Sequence, residues 1–369
     1  MYYTSICCIA KDEDPYLREW VSYHLAIGFE HIILYDNNSK NKIKDILKDY
    51  VATNLVTVYD LPLTEHQQLS AYVNCIKVWK NLVHWIAFID IDEFIVPLTT
   101  HDIRDFLDDY IDYAVVGVHW NIFSSNGYLR KSSGSVIKKF RKSLGLNEHI
   151  KSIVQPKKVI KPLSPHHFQY TDSFCVNEDF VCIPSHCSYP IANKIVLNHY
   201  YFKSQQEFEE KIARGLVTKM HHTVRSLQAF YDHIHQQETI DLRALKLLNE
   251  LSPLLNVSVE SMSDRITNLL AQAKEIETLL FKITDLITLE KLNHMYVQFR
   301  RYANPESVVL FEIYKEILIN DYNKAISKIS NGLANYPNYA YYFYQALKTI
   351  YEKTNRTNDV NSLVNFIEN

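Results

Sequence analysis

Five short apolar runs divide the first 120 residues, and each gives way to polar or charged residues. They are YYTSICCIA (2–10), HIILYD (31–36), LVTVYDL (55–61), WIAFID (85–90) and AVVGVHW (114–120). Runs this short and continuous suit strands buried on both faces. Helical spacing fills the gaps. Pro15 suits the first turn of a helix capped by Asp14 or Asp12, and Leu17, Trp20, Val21, His24 and Leu25 follow on one face. Further helical stretches cover about 42–50, 66–82 and 102–110. Strands alternating with helices imply parallel pairing through right-handed crossovers, hence an open α/β sheet with helices on both faces. Sheets of this kind gather ligands beyond the carboxyl ends of their strands. Asp12, Glu13, Asp36, Asp60 and the Asp90, Asp92 and Glu93 group all follow the apolar part of a strand. Carboxylates are rarely buried and repel one another, so these acids read as the mouth of a site rather than as core.

The rest of the chain changes character. Residues 130–200 are irregular and carry five prolines, with histidines at His166, His167, His186 and His199. After about 205 the pattern turns helical, and 305–369 suggests tetratricopeptide-like hairpins, with Pro337 closing one. The expected division is a catalytic domain over 1–235 and an all-α region over 236–369.

Composition narrows the function. The chain is 47% hydrophobic and 22% charged with a net charge of -3, which argues for a globular core and against a nucleic-acid partner. The N-terminal residues lack a signal-peptide pattern, and no apolar run approaches a membrane span. A cytoplasmic protein is expected, with peripheral contact at the inner face of the membrane left open. None of the six cysteines forms a CxxC pair. Cys175, Cys182 and Cys187 lie near His186, but their spacings do not match zinc knuckles, so idle thiols are expected.

Asp90 and Asp92, one residue apart at a strand end, have the chemistry to hold a hard divalent cation, Mn²⁺ or Mg²⁺. Such an ion relieves the repulsion between the acids and offsets the charge of a departing diphosphate. Solvated strand-end acids are the bland alternative.

Four stretches together go further: KDEDPYLREWVSYHLAIGFEHIILYDNNS, WIAFIDIDEFIVP, KSIVQP and NHYYFKSQQEFEEKIARG. They span roughly residues 5–215. Here the sequence resembles GT-A fold glycosyltransferases, most closely glycosyltransferase family 92 and its bacterial family-2-like relatives. The resemblance implies a nucleotide-diphosphate sugar donor, UDP-linked, with a hexose passed to a saccharide or glycolipid acceptor. It implies that Asp90 and Asp92 form the metal and donor motif and that His199 completes the metal site. Glu13, Asp36, Gln68, Lys151, Lys203 and Arg214 would line the donor pocket. Trp120, Phe123 and Ser125, in WNIFSSNGY, would contact the acceptor. This loop is poorer in glycine than the family pattern, and KDE stands where Asn-Glu is usual, so acceptor choice and base contacts differ first.

An inverting transferase needs a carboxylate to take the acceptor's proton. Glu148, Asp172, Glu178 and Asp179 are the candidates, with the adjacent acids Glu178 and Asp179 favoured. Inversion and a role in surface-polysaccharide synthesis are expectations drawn from the resemblance. Two other readings compete. Phosphoryl transfer from an Asp-x-Asp nucleophile is weakened by Phe94 at the position where a hydroxyl residue is usual. A degenerate, non-catalytic transferase fold binding a partner through its helical region is opposed by the joint retention of Asp90, Asp92, His199 and Lys203.

Overall fold

The computed structural model describes residues 1–62, 67–171, 173–184, 186–213, 226–280, 296–297, 300–356 and 359. The chain divides into two compact units, Met1–Asp264 and Arg265–Asn369.

The first unit is built on a mixed sheet. Its strands are β1 (Tyr2–Ala10), β2 (His31–Asp36), β3 (Val56–Asp60), β4 (Val83–Phe88), β5 (Glu93–Pro97), β6 (Val115–Phe123) and β7 (Lys142–Val154). A separate hairpin of β8 (Val159–Pro162) and β9 (Phe168–Tyr170) follows. The short β10 (Cys175–Val176) and β12 (Thr239–Ile240) join β6 and β7, with β11 (Ile195–His199) between them in sequence. The spatial order is β3-β2-β1-β4-β7-β6-β11-β5. The five apolar runs read from the sequence are β1 to β4 and β6.

Parallel pairing holds for β1 with β2 and β4, and for β2 with β3. The expectation of a parallel sheet fails beyond β4. There β7 runs antiparallel to both β4 and β6, and β5 runs antiparallel to β11. The irregular region 130–200 thus conceals three strands of this sheet, β7, β10 and β11. Lys142–Val154 is long and its burial is uneven along its first half, so it lacks the continuous apolar signal of a doubly covered strand.

Both faces of β1 and β2 are buried. Cys7, Ile9, Ile33 and Tyr35 pack with Ala71, Tyr72, Cys75 and Ile76 of the helix Gln67–Trp79. Side chains alternate along a strand, so Ile6, Cys8, Ile32 and Leu34 face the other way, and all four are fully buried. The helix Asp14–Ala26 is tied to β5, where Trp20 and Tyr23 donate to the carbonyls of Glu93 and Ile95. Gly28 follows this helix at φ +103, where a Cβ would come within 2.2 Å of Asp102. All six cysteines are free thiols.

The expected boundary at 235 falls short of the observed division after Asp264. Past 235 the chain is still bound to the sheet: Thr239 and Ile240 pair with β7, and Asp241 accepts from Asn121 at 2.8 Å.

The second unit contains the helices Pro305–Leu318, Tyr322–Asn335 and Ala340–Lys353. Leu310, Ile313, Ala325, Ile329, Phe343 and Ala346 form its core. Gly332 admits the Phe343 ring, since a Cβ there would lie 2.7 Å from it. The last expected helix, over 359–368, lies outside the described residues apart from Asp359.

Candidate active site

The strand directions bring the acids to one edge. The carboxyl ends of the parallel strands β1 to β4 share it, so Asp36 and Asp60 stand there in register. β11 runs parallel to β6 and ends there with His199. β5 begins there, and Glu93 sits directly opposite His199. Ser152 of β7 faces Phe88 of β4, which places the neighbouring Lys151 beside the turn that carries Asp90.

Asp90 is held by three partners. Its carboxylate receives Lys151 Nζ at 2.9 Å and Gln68 Nε2 at 2.8 Å, and its own N–H donates to Glu93 Oε2 at 2.8 Å. Lys151 and Glu93 are 2% and 0% exposed. Burial works against the Lys151 charge, but Asp90 and Glu93 overcome it and hold the ammonium pKa well above its ordinary value. Glu93 responds oppositely. Burial, with Asp90 and Asp92 nearby, pushes its pKa well above the ordinary carboxylate value.

Asp92 stays charged. Burial alone would raise its pKa, yet Lys211, His199 and Lys203 more than offset this and hold it well below its ordinary value. Lys211 Nζ lies 2.5 Å from Asp92 Oδ2, and His199 Nε2 lies 3.6 Å from the same oxygen. His199 is neutral because burial lowers its pKa despite Asp92. On its other side, Nδ1 faces Glu93 Oε1 at 4.0 Å, and neither atom has a hydrogen-bond partner.

Trp120 covers this group. Its ring centroid lies 4.5 Å from that of His199, 5.2 Å from His166 and 5.4 Å from His149. Burial and the Lys151 charge lower the His166 pKa to about 4.

A small open cleft lies beside Asp92, lined by Glu13, Tyr16, Lys203, Glu207 and Lys211 among others. Lys203 lies 3.7 Å from Glu13 and 3.5 Å above the Tyr16 ring, with backbone φ +49. The next residue starts a helix by reciprocal capping. Ser204 N–H donates to Glu207 Oε2 at 3.0 Å, and Glu207 N–H donates to Ser204 Oγ at 3.3 Å. Tyr16 Oη also donates to Glu207. Lys211 then sits in the last turn of this helix, Gln205–Ala213.

Several expected residues are not brought into this group. Asp36 lies at the edge, but its oxygens accept the N–H groups of Ser39 and Ile43 at 2.8 and 3.2 Å, a loop-fixing task. Phe123 is buried against Tyr200, and Ser125 is buried against His233. Glu178 and Asp179 lie at the far end of β11. Glu178 accepts the N–H groups of Asn193, Lys194 and Ile195, and Asp179 pairs with Lys194 at 3.4 Å. Four strand steps separate Ile195 from His199, about 13 Å. Glu148 is exposed on β7. Arg214 and Asp172 lie outside the described residues.

Sequence reasoning missed Lys211 and His166 as neighbours of the acids, and the second role of Glu93.

The arrangement offers carboxylates, imidazoles whose pKa values burial lowers, and several ammonium groups around a cleft. The donors suit a divalent ion that shares its shell with phosphate oxygens, although no three His, Cys, Asp or Glu side chains converge as a ready-made set among the described residues. Nδ1 of His199 and Oε1 of Glu93 face each other at 4.0 Å, too far for a hydrogen bond, on the side where a carboxyl group could support a ligating histidine.

Residues 2–233 match the model of glycosyltransferase family 92. The chain belongs to that family. A family 92 protein from Ricinus communis is 27% identical over 221 residues, covering 58% of this chain and 38% of its own length. The galactan beta-1,4-galactosyltransferase GALS3 of Arabidopsis thaliana is 26% identical over 111 residues, 27% of this chain and 22% of that one. The chain therefore spans well under half the length of these relatives. Among solved structures, S. aureus TarS 1-349 in complex with UDP-GlcNAc is 13% identical and covers 92% of each chain, with a TM-score of 0.33, too loose to carry an argument. Among the described residues, no helix is long and apolar enough to cross a membrane.

Proposed function

We propose that this family 92 chain transfers a hexose from a UDP-linked sugar to a saccharide or glycolipid acceptor, with inversion and with Mn²⁺ or Mg²⁺ bound. The observation that carries it is Asp92, held ionised at the rim of a cleft with His199 and Lys211 turned toward it and Lys203 across the cleft. Membership in family 92 supports glycosyl transfer, and the galactosyltransferase relatives support a hexose. A role in polysaccharide synthesis follows from the same likeness.

Asp92 and His199 would hold the cation, whose chemistry is to offset charge on the diphosphate. Lys203, 3.7 Å from Glu13 and over Tyr16, would face phosphate oxygens. Lys151 and Gln68 fix Asp90 in one orientation, leaving it to meet the ribose or donor sugar. Trp120 would stack on a sugar ring, as aromatic faces do. Glu178 and Asp179 are no part of this proposal.

The test is calorimetric titration of UDP- and GDP-sugars with and without Mn²⁺, repeated on Asp92→Ala. One UDP-hexose should bind only with Mn²⁺, and the variant should bind it at least about 100-fold more weakly. If no nucleotide binds the wild-type protein under any metal condition, the proposal fails.

A further inference from the structure

We propose that Lys211 is an internal counter-cation: its ammonium occupies the Asp92 oxygen while no divalent ion is bound, and must leave that oxygen when one binds. This rests on the metal reading above. Lys211 Nζ lies 2.5 Å from Asp92 Oδ2, while His199 Nε2 approaches the same oxygen to 3.6 Å, beyond hydrogen-bond reach. One oxygen is thus the target of both the lysine and the expected ion. Two cations cannot both sit at contact distance from it, because their mutual repulsion in a partly buried site is large. The side chains of Lys211 and Asp92 are only 15% and 12% exposed, so water screens the conflict poorly.

The surroundings let the ammonium move while its backbone stays. The helix carrying Lys211 is fixed at its start by Ser204, Glu207 and Tyr16. The side chain has four rotatable methylenes and a second anchor already in place, the Tyr201 carbonyl at 3.2 Å and the Tyr201 ring at 4.2 Å. Released from Asp92, the charge stays in the cleft that Lys203 also lines, where a nucleoside diphosphate would bring its anionic oxygens.

One residue would therefore act with opposite signs on two ligands. It opposes the bare ion, since the ion-ready state is populated only when the ammonium is away; a contact made about nine-tenths of the time weakens apparent ion affinity about tenfold. It favours the ion together with the diphosphate, because the displaced charge then has an anion to meet. Ion and nucleotide consequently bind with positive coupling, and that coupling passes through Lys211.

The test uses the full chain and three proteins: wild type, Lys211→Gln and Lys211→Arg. Mn²⁺ is titrated alone, read by calorimetry and by loss of the free-ion electron-spin signal, and then UDP is titrated at saturating Mn²⁺. Lys211→Gln should bind Mn²⁺ about tenfold tighter than wild type and UDP about tenfold weaker. Lys211→Arg, which keeps the charge, should not tighten Mn²⁺ binding. Equal Mn²⁺ affinity in wild type and Lys211→Gln, or tightening in both variants, overturns the inference and leaves the metal site standing. If UDP binds wild type equally well with and without Mn²⁺, Lys211 is a permanent substitute for the ion, and the inference is overturned. If no protein binds Mn²⁺ with or without UDP, the metal reading itself falls, and the inference with it.

Discussion

Lys151 Nζ lies 2.9 Å from Asp90 and 3.6 Å from Glu93, so one buried ammonium serves two carboxyl groups. The Asp90 side chain is 35% exposed and also accepts from Gln68. Glu93 is fully buried, and burial pushes its pKa well above the ordinary carboxylate value. The pair thereby positions the turn that carries Asp92.

Lys151→Met tests the ion pair. It leaves Asp90 with Gln68 as its remaining side-chain partner and removes the charge that restrains Glu93. Because Asp90 keeps some contact with water, the loss should be about 2–3 kcal/mol, below the usual cost of orphaning a fully buried charge. Urea unfolding at pH 7 reads this. A loss under about 0.5 kcal/mol would show that the pair does not form.

Glu93→Gln tests the proton. A neutral acid and an amide have nearly the same shape and charge, so stability should stay within about 1 kcal/mol of wild type at pH 7. Were Glu93 ionised, the change would remove a buried charge paired with Lys151 and cost more. The two outcomes separate cleanly in denaturant midpoints.

The parallel half of the fold was legible because its strands are covered on both faces and read as unbroken apolar runs. Asp90 and Asp92 could be placed at the sheet edge because they follow an apolar run that reads as a strand, whereas His199 entered through the family resemblance and its strand β11 was not read. Lys142–Val154 was not, since it is partly exposed and its residues show no clean period. Glu178 misled because adjacent acids suggest a base, whereas its carboxylate is taken up by three backbone N–H groups that only the folded turn brings together. Lys211 was hidden differently. On a helix of mostly polar and charged residues, sequence cannot say whether its one lysine turns inward.

Two buried histidines set an acid limit on stability. His24 donates through Nδ1 to the Trp20 carbonyl and accepts the Ile95 N–H at Nε2; burial lowers its pKa to about 3. His31 is similarly held between Asn54 and Thr57, with a pKa lowered by burial to about 4. Below the ordinary value of 6.5 the unfolded chain takes protons that the folded chain refuses, so stability falls as pH drops from 6.5 toward 4 and levels off where the native rings protonate. Together they contribute a slope of up to about 2.7 kcal/mol per pH unit. Urea midpoints at pH 7, 6 and 5 should decline along that window. Equal midpoints at pH 7 and 5 would mean that the rings charge freely inside the folded protein.

Lys203 tests whether backbone strain is kept for binding. Its φ of +49 is a left-handed conformation that glycine adopts without penalty and other residues adopt at a cost of about 1 kcal/mol. Both Lys203→Gly and Lys203→Ala remove the ammonium from Glu13 and the Tyr16 ring, but only glycine relieves the backbone. The glycine variant should therefore be about 1 kcal/mol more stable than the alanine variant, in denaturant unfolding at pH 7. Relative to wild type, the relief offsets a lost cation–π contact of similar size, so Lys203→Gly should unfold within about 1 kcal/mol of it. Nucleotide affinity should instead fall about tenfold in both variants, because the loss comes from the amine and not from the backbone. If glycine restored nucleotide binding that alanine had lost, the backbone at 203 rather than its ammonium would be the binding element.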